Sequence, residues 1–328
     1  MVRELTYAEA LREAMREEMK KDKNVFLVGE DVGQGYRGCF AVSTGLYEEF
    51  GPSQIIDTPI SENTILGCGI GASLVGMKPI VEMMFEDFIS VAFDGILNQA
   101  AKVRLMSAGQ YKLNLVVRLP GGSKNGTGPQ HSQCLESIFM SIPGIKIVCP
   151  VTPHDAKGLL KEAINHGDPV LFFEHKKLYS LKGPVPEEEY TVPFGQARIA
   201  REGKDLTIIA VSYMVNVALE AAEILKEKHN LDIEVIDPRT LVPFDLETVS
   251  KSLKKTNKAV IIEEGIKRNG VGSEISSLIM ENLFDYLDFP VKRIASKNSI
   301  IPMSPNLGKA VLPNKESVIK EIEDLLII

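Results

Sequence analysis

Residues 57–63 read DTPISEN, and an apolar stretch rich in Gly and Ala, TILGCGIGASLVG, follows directly. Glu62 is thus a carboxylate at the mouth of a segment that must pack away from water. With Ser61 as N-cap, Glu62 falls in the first helical turn, where the helix dipole favours negative charge. A lone Glu there most often does no more than open a helix. Here the helix reads as fully buried, because Gly67, Gly71, Ala72 and Gly76 recur at helical spacing and admit a second backbone or a ligand. An acid in such a place has a raised pKa and needs a hydrogen-bonding partner. General acid–base chemistry asks for that combination.

Two further stretches compete for chemical roles. GGSKNGTGPQHSQ, residues 121–133, follows an apolar strand and carries His131 near its end. Loops at the carboxyl ends of parallel strands are where such sheets bind ligands. The loop lacks the GxxxxGK[ST] pattern of a nucleotide cradle, and a lone loop histidine is more often structural. His131 stands out through its glycine-rich approach and polar flanks. In VEMMFEDF, residues 81–88, composition alone leaves Met84 and Phe88 in the core, and GEDVG at 29–33 reads as a turn. GIGAS lies inside the helix and is no dinucleotide fingerprint.

The elements that must position these residues alternate. Thr6 with Glu9 forms a capping box, and Ala8, Leu11, Met15 and Met19 follow on one helical face. VFLVGEDVG, PIVEMMF, LNLVVRLP, IKIVCPV and PVLFFEH read as strands. ENTILGCGIGASLVG, FDGILNQAAKVRLM and PHDAKGLLKEAINHG read as the helices between them. Uniformly apolar strands separated by helices predict a mainly parallel sheet covered on both faces. The pattern breaks at SLKGPVPEEEYTVPFG, read as a linker. It resumes with LTIIAVSY, LDIEVIDPRT, AVIIEEG and VKRIASK, and ends in the amphipathic KESVIKEIEDLLII. The expected fold is α/β in two domains, each a mainly parallel sheet flanked by helices.

Composition bounds the function. The chain has 328 residues, 44% hydrophobic and 25% charged, with a net charge of −7 and no Trp. This gives no electrostatic case for nucleic acid or an anionic membrane. Cys39, Cys68, Cys134 and Cys149 form no CxxC pair and read as buried free thiols in a reducing compartment. The charged, helical N-terminus resembles no signal peptide, so the expected location is cytoplasmic.

Taken together, GEDVG, DTPISE, VEMMFEDF, ILNQAAKVRLMSAG, GPQHSQ, PGIKIVCPVTPHDAKGLLKEAI and DPVLFFEHKKLYS carry a resemblance that spans nearly the whole chain. They resemble the beta subunit of the thiamin-diphosphate-dependent first component of 2-oxo acid dehydrogenase complexes, a group that includes the pyruvate, branched-chain and acetoin enzymes. The resemblance implies a pyrimidine-binding domain over 1–180, a linker over 181–200 and a transketolase C-terminal-like domain over 201–328. Glu62 matches the glutamate that hydrogen-bonds a ring nitrogen of the cofactor's aminopyrimidine and favours the imino tautomer. Phe88 would stack on that ring, Ile60 and Met84 would line its pocket, and His131 would face substrate and lipoyl group. A monovalent cation, potassium in kind, would take backbone carbonyls at Leu115, Ala163, Ile164, His166 and Asp168. His166 replaces the usual Asp there, a change that a carbonyl ligand survives.

The family's GDG and Asn pair for diphosphate and magnesium have no match, since HGDPV carries Pro169 in place of the glycine. The resemblance therefore implies an alpha subunit that holds the magnesium, an assembly of two alpha and two beta chains, and a lipoyl acyltransferase core. Acetoin is the favoured substrate, then pyruvate, then branched-chain 2-oxo acids. The alternatives are a non-catalytic assembly subunit, which would have no chemical reason to keep Glu62 and His131, and a transketolase-like enzyme, whose sugar-binding residues are not found.

Overall fold

The computed structural model describes residues 2–124 and 126–326. The chain divides into two compact units. One runs to Gly121 and resumes over Ile138–Phe194; the other comprises Gly122–Ser137 and the chain from Gly195 onward. The segment carrying His131 thus belongs in space with the second unit.

The first unit holds β1 (Val2–Thr6), β2 (Val25–Glu30), β3 (Ile55–Thr58), β4 (Lys78–Glu82), β5 (Val116–Gly121), β6 (Lys146–Val148), β7 (Val170–His175) and β8 (Lys182–Pro186). Six of these form parallel neighbours in the order β6-β7-β5-β4-β2-β3. Every residue of β2, β5 and β7 is buried, as a sheet covered on both faces requires. The Thr6–Glu9 capping box is formed and starts the helix Tyr7–Lys21, which buries Ala8, Leu11, Met15 and Met19. This helix packs against Pro153–Asn165, with Lys157 Nζ bonding Glu13 (2.6 Å) and Glu17 (2.7 Å).

Several expectations need correction. The helix Glu62–Leu74 is buried on one face only: Ile65, Leu66, Gly69, Ile70 and Ser73 face inward, whereas Asn63, Thr64, Gly67, Cys68 and Gly71 are exposed. A Cβ on Gly67 or Gly71 would meet nothing within 4 Å, but one on Gly69 would lie 2.5 Å from Val81 Cγ2. The tight approach therefore falls on a different glycine. Residues 93–106 do not form one helix. A π-helical turn, Gly95–Ala100, precedes a short helix, Val103–Met106, and Gly95 lies so close to Leu66 that a Cβ would come within 2.6 Å of Leu66 Cδ2. Within 181–200, read as a linker, β8 pairs antiparallel with β1, from Val2 opposite Pro186 to Thr6 opposite Lys182. Gly183 and Val185 are buried in it while Pro184 is exposed, a ribbon that tolerates proline. All four cysteines are free, but Cys68 is exposed and Cys134 half-buried.

The second unit holds β9 (Arg198–Arg201), β10 (Leu206–Ala210), β11 (Ile233–Asp237), β12 (Thr240–Val242), β13 (Ala259–Ile266) and β14 (Lys292–Ser296). Five of these order as β14-β13-β10-β11-β9, all parallel except the edge strand β9. The final helix, Lys315–Leu326, buries Val318 and Ile322; Ile327 and Ile328, which end the amphipathic stretch, lie outside the described residues.

Candidate active site

In the first unit the neighbouring strands β4, β2 and β3 deliver their carboxyl ends to one edge of the sheet. Glu30 is the last residue of β2. Ile60 and Glu62 follow β3, and Met84 and Phe88 follow β4. The four residues singled out for the pyrimidine pocket therefore arise from the same edge, where parallel sheets bind ligands.

Glu62 opens its helix and is 7% exposed. Ser61 occupies the N-cap position, yet its hydroxyl donates to Pro59 O (3.0 Å) and makes no cap bond to the helix. Glu30, also buried, has one carboxylate oxygen, Oε1, with no hydrogen-bond partner. Its pKa is raised, first by burial, then by the charges of Glu62 and Asp31; the Ser61 N–H offsets part of this. Glu62 thus lies within electrostatic reach of Glu30, and no cation is among the causes of the shift. Beside them Ile60 is 81% exposed, an apolar side chain left in the open next to buried charge.

The wall carrying Met84 and Phe88 is fixed from behind. Cys39 donates its N–H to Glu82 Oε1 (2.9 Å) and its Sγ hydrogen to Met84 O (2.9 Å). Phe88 donates its N–H to Phe85 O (3.1 Å), and the two rings meet edge to face at 5.9 Å. Arg118, fully buried on β5, bonds Glu82 and both oxygens of Glu174 (2.7 and 2.8 Å), and Tyr179 Oη donates to Glu174 (2.7 Å). Burial alone would lower the guanidinium pKa, but Glu174 and Glu82 outweigh it and raise it. The GEDVG turn is held by Asp57 Oδ1, which accepts the Val32 and Gly33 N–H groups (2.9 and 3.2 Å). Gly33 is needed there, since a Cβ would lie 2.6 Å from that of Asp57.

His131 lies in the second unit, ending a 3-10 turn, Pro129–His131, and is half-buried. Its N–H donates to Gly128 O (3.3 Å), while Thr127 Oγ1 bonds His131 O (3.1 Å) and Ser132 Oγ (2.8 Å). The five residues expected around a cation gather at one place in the first unit. Ala163 and Ile164 end the helix Pro153–Asn165, His166 is its C-cap, Asp168 precedes β7, and Leu115 precedes β5. Leu115 O accepts the Val170 N–H (2.8 Å) and Ala163 O the His166 N–H (3.3 Å). The Asp168 carboxylate meets Arg104 and His166 Nε2 (3.8 Å). Among the described residues no cluster of three His, Cys, Asp or Glu could hold a metal ion.

Sequence reasoning passed over Glu30 and the Arg118 network. The signal was present in both cases: a charged residue inside or ending an otherwise apolar strand.

Comparison with known proteins adds an independent line. The family described as transketolase, pyrimidine binding domain, matches residues 3–182, and the transketolase C-terminal domain matches 195–318. The acetoin:2,6-dichlorophenolindophenol oxidoreductase subunit beta of Bacillus subtilis is 43% identical over 99% of this chain and 98% of its own length. The pyruvate dehydrogenase E1 component subunit beta of Rickettsia felis is 44% identical over 98% of both chains. The chain belongs to the beta-subunit family of 2-oxo acid and acetoin dehydrogenases. A third member of this family, the 2-oxoisovalerate dehydrogenase subunit beta of Bacillus subtilis, is 43% identical over 98% of each. A solved structure titled split gene transketolase, inactive beta4 tetramer, shares the fold of this beta subunit at a TM-score of 0.79 and 21% identity, covering 98% of both chains. No helix among the described residues is long and apolar enough to cross a membrane.

Proposed function

We propose that this beta subunit supplies half of a thiamin diphosphate site, with Glu62 as its acid–base residue, and that it works with an alpha subunit in an assembly of two alpha and two beta chains. The observation that carries the reading is the buried Glu62, at the carboxyl edge of a parallel sheet, within electrostatic reach of a buried Glu30 with an unpartnered oxygen, beside an exposed Ile60. A buried acid pair next to an open apolar lip fits a flat, nitrogen-bearing ring: the carboxylate meets ring nitrogen and the apolar residues meet its faces.

When bound, thiamin diphosphate supplies a carbon nucleophile and an electron sink for cleaving a carbon–carbon bond. Glu62 holds a proton at a ring nitrogen of the aminopyrimidine, in a site where little water competes for it. Phe88 and Met84, backed by the Cys39 and Arg118 contacts, orient the ring, and Ile60 closes over it. His131 moves a proton at the substrate side and faces the arriving lipoyl group of an acyltransferase core. Magnesium and diphosphate are held by the alpha subunit. Leu115, Ala163, Ile164, His166 and Asp168 offer carbonyls to a potassium ion.

The substrate proposed is acetoin, on the likeness of VEMMFEDF, NQAAKVRLM and EHKKLYSLKGPVPEEEYTVPFG to acetoin enzymes. Pyruvate is the alternative, because relatives named for it are as similar. Assay of the complex reconstituted with its alpha subunit against acetoin, pyruvate and branched-chain 2-oxo acids separates them. In the same assay Glu62→Gln lowers turnover by about a hundred- to ten-thousand-fold. Full activity of that variant contradicts the assignment.

A further inference from the structure

In the second unit, Glu264 of β13 bonds one end of the segment bearing His131 and acts electrostatically on the other. The Gly122 N–H closes the neck of the segment on Gln133 O (2.9 Å). The next residue, Ser123, donates its N–H to Glu264 Oε1 (2.5 Å). At the far end Glu136 is buried, and its pKa is pushed up to about 7, first by burial and then by the charges of Glu263 and Glu264. Glu263 is occupied elsewhere: it accepts the Gly272 N–H (3.0 Å), and burial pushes its own pKa to about 7. Glu264 is thus the carboxylate that grips the loop's backbone. It is 7% exposed, and a carboxylate oxygen shielded from water holds a backbone N–H more firmly than one in solvent.

Between the loop and the carboxyl ends of β13 and β14 lies a cavity of about 370 Å³, with Pro129, Cys134 and Leu135 on one wall and Gly265, Ile266 and Ser296 on another. The loop turns at Gly126 and Gly128, whose φ of +74° and +83° is the region that favours glycine. Gly126 also passes so close to Met303 O that a Cβ would lie 2.7 Å from it. A loop over a cavity, turned on glycines, takes its position from discrete tethers.

We propose that Glu264 is a positioning residue for His131, acting through the Ser123 N–H. This rests on the reading of His131 as the group that faces the substrate; Glu264 itself touches no reacting atom. Two measurements test it: amide hydrogen exchange of peptides spanning 122–134 in the full-length chain, and steady-state kinetics of the complex reconstituted with its alpha subunit. In Glu264→Ala the loop amides exchange about ten- to a hundredfold faster, and kcat falls about tenfold or more as the histidine loses its placement, with KM little changed. Glu264→Gln keeps a carbonyl acceptor and recovers most of both losses. Ser123→Pro removes the donor while leaving the buried acid in place, and reproduces Glu264→Ala. Unchanged exchange in Glu264→Ala and Ser123→Pro overturns the proposal. So does faster exchange with unchanged kcat, or a Glu264→Gln as impaired as the alanine. Full turnover of His131→Ala would remove the functional reading beneath it, while leaving the tether itself to be judged by exchange.

Discussion

Buried carboxylates occur in two settings within the first unit. In the middle of the sheet, Glu82 on β4 and Glu174 on β7 flank the buried Arg118 of β5, so two acids share one cation, and Glu174 also accepts a tyrosine hydroxyl. At the β2–β3 edge, Glu62 acts electrostatically on Glu30, and Glu30 keeps an unpartnered oxygen. All four side chains are buried, Glu82 and Glu174 at 1% exposure and Glu30 and Glu62 at 6% and 7%. The difference is the counter-charge. An acid with its cation is a structural part whose removal strands its partners. An acid buried without one retains electrostatic energy that a ligand can relieve, which is why perturbed acids mark functional sites.

Substitutions can break that contrast, and the largest effect is expected at the unpaired edge. Glu62→Gln, isosteric and uncharged, lowers turnover by about a hundred- to ten-thousand-fold and leaves the urea midpoint of the chain nearly unchanged. A variant that unfolds instead would place Glu62 with the structural acids. In the middle of the sheet the loss is in stability. Arg118→Met leaves Glu82 and Glu174 facing each other and costs about 3–5 kcal/mol, read from urea unfolding of the full chain.

A smaller effect sharpens the comparison by pH. The folded-state pKa of Glu30 is raised above its unfolded value, so the folded chain holds that proton longer and unfolding releases it. The contribution of Glu30 to stability therefore falls as pH rises from the ordinary carboxylate range, about 4.3, through the raised value, above which that contribution is gone. Glu30→Gln removes that part of the slope, making the variant more stable than the parent at neutral pH and no more stable in acid. Identical slopes for the two proteins would mean that Glu30 has a paired environment. At the bottom of the scale, the exposed pair Lys251–Glu247 serves as the control. Lys251→Ala moves neither unfolding nor turnover, as expected of a solvated ion pair.

The sequence disclosed local chemistry well and long-range pairing poorly. The Thr6–Glu9 capping box, the apolar strands and the placement of Glu62 at a helix start all depend on neighbours a few residues away. Their patterns survive in a linear reading. The Arg118 network joins strands 36 and 56 residues apart, and no local period announces it. The pairing of β1 with β8 was hidden for the same reason, and the prolines of β8 suggested a linker. The small residues after Glu62 misled in another way. They suggested burial all round, but Gly67 and Gly71 line an open face, and only Gly69 is pressed against the sheet. Glu30 was legible as an acid ending an apolar strand, yet the turn-forming GEDVG around it gave a sufficient local explanation. The exposed Ile60 and the gathering of Met84 and Phe88 at the same edge required strand order, which composition does not carry.

The central claim is that Glu62 governs a proton on the aminopyrimidine of bound thiamin diphosphate. Exchange of the hydrogen on the thiazolium carbon between sulfur and nitrogen can be followed directly, by quenching the reconstituted complex in deuterated water. With cofactor occupancy equal in the two proteins, exchange in Glu62→Gln is predicted to be slower by about a hundredfold or more. An unchanged rate would show that the proton is controlled by some other group.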